Sequence, residues 1–195
     1  ACVNWAILHG EPAAAMTIHL MEPQLDSGPV LLKKHFELAQ DTYIGDFLVW
    51  HQDVVPEMFC EVVNGLESGT LVPVAQEAGG PILRAFPRRP TDSQINWDQP
   101  CIEVHRLIRA SSSPFHGSLA SAEDGRIVRI FRAEIIDPGY EFLAVPGQIC
   151  EIEEGYPLVA CGDNNLMLML TEFLVEGLSP EESLQYLTRS LRARL

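Results

Sequence analysis

TIHLMEPQLDSGPVL, residues 17–31, is the stretch that decides the fold. Its first residues alternate like a short strand, Asp26-Ser27-Gly28 forms a tight turn, and a second apolar run begins at Val30. Loops on a rigid scaffold often carry chemistry, so the carboxylate of Asp26 is the candidate catalytic group. The structural alternative is that Asp26, like many Asp residues in turns, hydrogen-bonds its own backbone to shape the turn.

Three segments follow one another in a recognisable order: VNWAILHG at residues 3–10, Thr17-Ile18-His19, and LDSGP at residues 25–29. Their order and spacing resemble the folate-dependent formyltransferase family, in which a Trp-bearing helix, a strand and a Leu-Asp-Thr-Gly turn succeed one another. The resemblance implies transfer of a formyl group to an amine, with 10-formyltetrahydrofolate as the formyl donor.

The catalytic set of that family is an Asn, a His two residues later, and the Asp of the turn. Only the Asp can be carried over, onto Asp26, because none of the 6 histidines lies in an Asn-x-His pair. The resemblance implies that the family's Asn and His lie upstream of this chain. In that role Asp26 would orient the His and accept the proton that the attacking amine releases.

The resemblance also implies further site residues. Gln24 and Leu25 join Asp26 as cofactor-binding residues, and Asn4 and Trp5 are possible substrate-binding contacts. A core position for Trp5 and a surface or cap position for Asn4 are the structural alternatives. His19, alone on its strand, is interpreted as a structural residue.

The composition limits the function classes. The net charge is −14, and the 195 residues hold 5 cysteines with no Cys-x-x-Cys pair. Binding of polyanions depends on clustered Lys and Arg, so the acidity disfavours a tRNA acceptor without excluding a local patch. The cysteine pattern argues against a metal site and for the reducing cytoplasm. No signal peptide or apolar spanning run is expected, and the opening inside a motif suggests a fragment of a longer protein.

Proline and glycine residues between 73 and 90 predict a domain boundary. It divides the chain into two parts. Residues 1–87 are the C-terminal portion of a catalytic domain with its linker, and residues 88–195 are the second domain. After the boundary, the triplets Ile95-Asn96-Trp97 and Ile108-Arg109-Ala110 resemble the segment that joins the two domains in the family. Asn96 departs from the acid that is common there. With Arg89-Pro90-Thr91-Asp92-Ser93, this segment looks closest to enzymes that formylate amino sugars.

Apolar spacing predicts the individual elements. Helices are expected at residues 3–8, 42–65, 100–110 and from Pro180 onward, and strands at 17–20, 30–36, 126–135 and 166–170. Residues 146–149 and 158–163 resemble the next two strands and turn of the formyltransferase family. Asp41 or Thr42 is expected to cap the second helix, and Pro56 to kink or split it. Ser179, Pro180 and Glu182 predict a capped last helix with a leucine stripe. The stripe consists of Leu184, Leu187, Leu191 and Leu195.

Together these features predict an α/β protein, with part of a Rossmann-like formyltransferase domain followed by a small, oligonucleotide-fold-like β-barrel with a terminal helix. Arg126, Arg129 and Arg132 are interpreted as solvated rather than as a binding face. The leading hypothesis is an N-formyltransferase acting on a nucleotide-linked amino sugar, without a membrane partner and possibly as a homodimer. The alternatives are a methionyl-tRNA formyltransferase, a formyltetrahydrofolate hydrolase domain, and a non-catalytic binding or assembly module.

Overall fold

Residues 2–76 and 84–195 are described by the computed structural model. The predicted boundary segment 73–90 therefore lies partly outside the described residues. The elements are α1 (Cys2–His9), β1 (Ala13–His19), β2 (Val30–Glu37), α2 (Ile44–Glu67), a short 3₁₀ turn (Pro90–Ser93), α3 (Cys101–Ser111), β3 (Ser118–Ser121), β4 (Ile127–Ile136), β5 (Ile149–Glu153), β6 (Tyr156–Ala160), β7 (Met167–Val175) and α4 (Pro180–Thr188).

The strands form two antiparallel sheets, and together with the helices they give a mixed α/β architecture. The first sheet is the hairpin β1–β2, and the second has the strand order β3-β4-β7-β6-β5. In the described parts of the chain, no pairing joins the edge strands β3 and β5 into a closed ring. Helices α1 and α2 pack near the hairpin, whereas α3 and α4 pack on the larger sheet.

The first two helices show where local signals suffice and where they fail. Helix α1 ends before Gly10, as predicted, and Gly10 takes a φ of 68° that favours glycine. Helix α2 is continuous from Ile44 to Glu67, so the predicted split at Pro56 is wrong. A proline at this position removes the hydrogen bond to the carbonyl of Gln52, but both residues are exposed and water can take that bond.

The cap of α2 also differs from the prediction of Asp41 or Thr42. Tyr43 occupies the N-cap position, and its backbone N–H donates to Oδ2 of Asp46 at 2.8 Å. The hydroxyl of Thr42 instead accepts a hydrogen bond from the backbone N–H of Ala39. Tyr43 itself is buried in the same apolar cluster as the large sheet.

The chain end departs from the predicted leucine stripe. Helix α4 has the predicted cap, in which Oγ of Ser179 accepts from the N–H of Glu182, but it ends at Thr188. The last residues run beside the start of β5, where the N–H of Leu195 donates to the carbonyl of Gly147 at 2.9 Å. Leu191 is consequently exposed and Leu187 is the buried member of the stripe, so the helix packs on its own sheet.

The second sheet holds the main core. Residues 167–170 of β7 are all buried, as predicted for the apolar run 166–170, whose first residue, Leu166, lies half-buried before the strand. Strand β4 contains register shifts at Arg132, where it pairs with β7. These shifts turn Arg132 outward, and its guanidinium lies over the ring of Tyr43, 4.4 Å from the centroid.

No helix among the described residues combines the length and the apolar character needed to cross a membrane.

Candidate functional site

The loop that carries Asp26 connects β1 to β2 and is closed at its base. The N–H of Leu20 donates to the carbonyl of Pro29 at 2.9 Å, directly beyond the hairpin pairing of His19 with Val30. Gly28 is buried at this closure, and a Cβ there would overlap the carbonyl oxygen of Leu20. Glycine at position 28 is therefore a steric requirement of the loop.

Gln76 holds the same loop from outside the hairpin. Its side-chain amide donates to the carbonyls of Asp26, at 3.0 Å, and of Gly28, at 2.7 Å. Two backbone hydrogen bonds between Val30 and Val74, at 2.7 and 2.8 Å, bring Gln76 into reach. No local pattern in the sequence points to Gln76, because its contact with the loop spans 50 positions.

Asp26 lies next to His19, the last residue of β1. Oδ1 of Asp26 is 3.6 Å from Nε2 of His19, with side-chain exposures of 79% and 27%. Nδ1 of His19 lies 2.8 Å from the carbonyl of Leu20, which can only accept, so Nδ1 carries a hydrogen. Nε2 is the ring nitrogen that faces the carboxylate.

The backbone of Asp26 has a φ of 55°, in the left-handed region that Asp tolerates better than most residues. This conformation turns the carboxylate outward from the hairpin. The predicted cofactor-binding neighbours are exposed on the same loop: Leu25 is 88% exposed, and the carbonyl of Gln24 accepts from Oγ of Ser27. The loop thus presents residues 24–26 together on one surface.

The predicted substrate contacts of α1 lie elsewhere, against α3 and the segment before the 3₁₀ turn. The side-chain amide of Asn4 donates to the carbonyl of Ala110 at 2.7 Å, and Nε1 of Trp5 donates to the carbonyl of Phe86 at 2.8 Å. Both side chains are half-buried. They line two different cavities, and Asp26 lines neither of them.

The cavity beside Asn4 has a volume of about 310 Å³. Its wall is built from α1, the segment before the 3₁₀ turn, the end of α3 and the loop that follows α3. The lining residues are Asn4, Pro87, Arg88, Arg89, Pro90, Ser93, Ala110, Ser111, Phe115 and His116.

A second cavity, of about 480 Å³, lies where the start of α2 meets β4. Its lining includes Tyr43, His105 and Arg132. Burial, and then the charge of Arg109, lowers the pKa of His105 to about 4, although its hydrogen bond to the carbonyl of Ala133 acts in the opposite direction. Because that carbonyl only accepts, Nε2 of His105 carries the proton and the ring is neutral near pH 7.

Within the described ranges 2–76 and 84–195, no three His, Cys, Asp or Glu side chains are grouped as ligands for a metal ion.

Comparison with known proteins decides the family. The family model described as "Formyl transferase, C-terminal domain" matches residues 88–186, which is half of the chain. The chain belongs to the formyl transferase family. The first 87 residues precede the matched domain, and they contain the Asp26 loop.

Curated relatives of this formyl transferase chain include two bacterial enzymes named methionyl-tRNA formyltransferase. The enzyme from Trichlorobacter lovleyi is 30% identical over 86% of this chain and 51% of the relative. The enzyme from Anaeromyxobacter dehalogenans is 30% identical over 100% of this chain and 61% of the relative. The chain therefore spans between half and two thirds of the length of these relatives.

Solved structures share the fold. A variant of HypX from Aquifex aeolicus superposes with a TM-score of 0.63 at 20% identity, over 85% of this chain and 29% of HypX. An N-formyltransferase from Helicobacter canadensis, in complex with folinic acid and dTDP-3-aminofucose, superposes with a TM-score of 0.57 at 17% identity. That alignment covers 85% of this chain and 58% of the neighbour.

Proposed function

We propose that the protein transfers a formyl group from 10-formyltetrahydrofolate to the amine of an acceptor. Family membership supports the reaction class, and solved relatives with tetrahydrofolate or a formyl derivative of it bound support the donor. Within this chain, the observation that supports the proposal is the position of Asp26. Its carboxylate is exposed beside His19 on a loop that Gly28 and Gln76 hold in place.

In the proposed reaction the acceptor amine attacks the formyl carbon, and the new tetrahedral centre bears negative charge on oxygen. When this centre collapses, the bond from the formyl carbon to the folate nitrogen breaks, and that nitrogen takes up a proton as tetrahydrofolate leaves. Stabilising that oxyanion is usually the largest catalytic contribution. Residues outside this chain would supply its hydrogen bonds, since the 195 residues hold no Asn-x-His pair. Asp26 would hold the partner imidazole and take up the proton that the amine loses.

The structure adds His19 to this scheme. Its Nε2 lies 3.6 Å from Oδ1 of Asp26, so the imidazole can help to orient the carboxylate. Gln24 and Leu25, exposed on the same loop, are the proposed donor contacts. Asn4 and Trp5 are proposed as acceptor contacts through the cavities that they line.

For the acceptor we propose a nucleotide-linked amino sugar. The net charge of −14 disfavours a polyanionic acceptor, and a sugar nucleotide is bound in the solved relative from Helicobacter canadensis. Charged initiator tRNA is the second candidate, because the curated relatives described above are named methionyl-tRNA formyltransferases. Salt separates the two, since tRNA binding weakens steeply with ionic strength whereas contacts in a small pocket respond less.

The same proposal includes the domain division between residues 87 and 88. It also includes a partial Rossmann-like fold for the first part and a barrel-like fold for the second. The separation of the two described sheets supports the division, since the hairpin lies before residue 88 and the five-stranded antiparallel sheet lies after it.

The test is formyl transfer by the complete protein, with 10-formyltetrahydrofolate and either a panel of nucleotide-linked amino sugars or charged initiator tRNA. Turnover on a sugar supports the proposal. Turnover on tRNA alone would replace the acceptor but keep the reaction. Absence of transfer to both, with release of formate, would identify a hydrolase instead.

A further inference from the structure

The cavity beside Asn4 is cationic in a protein with a net charge of −14. Arg88, Arg89 and His116 line it, and none of its lining residues is acidic. The carboxylate of Asp92 lies beside this lining, since its Oδ2 accepts the backbone N–H of Arg89. Asp92 therefore offsets part of the charge without occupying the cavity wall.

Arg88 is fixed so that it can present hydrogen-bond donors. Its Nη2 donates to the carbonyl of Asp92 at 2.8 Å and to Oγ of Ser93 at 3.3 Å, and its Nη1 donates to Oγ of Ser111 at 3.3 Å. Within the described residues, no hydrogen bond uses its Nε–H, so part of the guanidinium remains available. A pre-positioned guanidinium loses little side-chain entropy when it binds an anion.

The two serines extend this donor set. Ser93 and Ser111 are 7% and 2% exposed, and both line the cavity. Each hydroxyl oxygen accepts from Arg88, which directs the hydroxyl hydrogen away from the guanidinium. These hydrogens are suited to an acceptor oxygen of a ligand.

Phe115 supplies a different kind of contact on the same wall. Its side chain is 45% exposed, and the loop that carries it is held by a hydrogen bond from the N–H of Phe115 to the carbonyl of Ser112. An exposed aromatic ring beside arginines fits a ligand that combines a planar base with phosphate. The cavity volume of about 310 Å³ lies at the lower end of the roughly 300–1,000 Å³ typical of small-molecule sites.

We propose that this cavity binds a nucleoside diphosphate, with the phosphates on Arg88, Arg89 and the serine hydroxyls and the base against Phe115. In its choice of ligand class the inference rests on the proposed function, because a nucleotide-linked sugar carries this diphosphate. Arg89 is the residue to test, since its side chain is exposed, whereas Arg88 also links the 3₁₀ turn to α3.

The experiment is isothermal titration of the complete protein with dTDP, and separately with thymidine and with inorganic pyrophosphate, at fixed low salt. The variants are Arg89→Gln and Phe115→Ala. Arg192→Gln is the matched control, because Arg192 is exposed, carries the same charge and lies outside the cavity. No formyl donor is present, so the measurement is independent of catalysis.

We expect Arg89→Gln to weaken dTDP binding about tenfold or more, as removal of a charge-assisted hydrogen bond does. Phe115→Ala should weaken dTDP binding about threefold or more while leaving pyrophosphate unchanged. Arg192→Gln should bind dTDP like the parent protein.

Three outcomes would overturn the inference: no dTDP binding at millimolar concentration, an unchanged dissociation constant for Arg89→Gln, or thymidine binding as tightly as dTDP. Steeply salt-dependent tRNA binding without dTDP binding would assign the cationic cavity to RNA and would also reject it. If dTDP binding were retained but no formyl transfer occurred, the proposed reaction would be rejected and the nucleotide site kept. If formyl transfer occurred without dTDP binding, the nucleotide site would be rejected and the reaction kept.

Discussion

The hydroxyl of Tyr43 forms two hydrogen bonds with the backbone of Ala133, donating to its carbonyl at 2.8 Å and accepting from its N–H at 3.2 Å. Ala133 lies at the register shift of β4, where the pairing with β7 is irregular. A shifted strand leaves backbone groups without ladder partners, and buried groups of this kind are costly when unpaired. Tyr43 thus supplies hydrogen-bond partners to a strand residue that lies 90 positions further along the chain.

The first prediction concerns this pair. Tyr43→Phe should lower the free energy of unfolding by about 1–3 kcal/mol, because it leaves the buried N–H of Ala133 without its acceptor. Tyr140→Phe, at a side chain that is 51% exposed, is the control and should change stability by less than about 0.5 kcal/mol. Urea unfolding measures both variants, and equal stability of the two would show that Tyr43 contributes only its ring.

His105 should make stability depend on pH. Burial lowers its pKa to about 4 in the folded state, from the ordinary 6.5, so the unfolded chain binds the proton more readily. The contribution is fully present above pH 6.5 and is lost as the pH falls from 6.5 to about 4, up to about 3 kcal/mol. The unfolding free energy of the parent and of His105→Gln, measured between pH 4 and 8, should differ in slope in this window. Parallel curves would contradict the assignment.

Asp26→Asn in the complete protein should nearly abolish formyl transfer while leaving the fold and folate binding largely intact. The amide keeps the size of the side chain but cannot take up a proton. Asp53→Asn, on the exposed surface of α2, is the matched control. If Asp26→Asn retained most of kcat, Asp26 would have no part in the mechanism.

Gly28→Ala should reduce formyl transfer through the position of the loop. The added methyl group would overlap the carbonyl oxygen of Leu20, so the closure below Asp26 must shift. Even a displacement of about 1 Å can cost about a hundredfold in rate. Glu22→Ala, in the exposed part of the same loop, should retain activity. Unchanged turnover of Gly28→Ala would show that the loop geometry is not required.

The cysteines should differ widely in reactivity. Cys2 and Cys60 are exposed, whereas Cys101 and Cys161 are buried. Hydrogen bonding with the thiol of Cys101, followed by burial, raises the pKa of Cys161, and thiolate is the reactive form. A thiol reagent should therefore modify two cysteines quickly in the native protein, and Cys101 and Cys161 only after unfolding. Rapid modification of all five would contradict this arrangement.

Much of the fold could be predicted because its signals are local. The cap of α4, the glycine after α1 and the buried run in β7 each depend on a few adjacent residues. The prediction that Leu191 and Leu195 continue the leucine stripe of α4 is wrong. The chain end pairs with Gly147 instead, and helical spacing does not encode that contact.

The candidate site divides in the same way. Asp26 could be found from its turn, since Asp-Ser-Gly is contiguous and the resemblance covers it. Gln76 and the cavity around Arg88 could not, because each is assembled from segments far apart in the chain. The position of His19 at the end of the strand before the turn is a local signal that places it near Asp26, and its structural role stays a prediction.

The hydrogen bonds between Tyr43 and Ala133 also constrain evolution. The first residue belongs to the segment before the matched family domain, and the second lies inside that domain. A recombination event that exchanged either part for that of a distant relative would separate the tyrosine from the irregular strand that it completes. The two parts are therefore expected to be inherited together, and functional chimeras should be those that exchange Tyr43 and β4 as a unit.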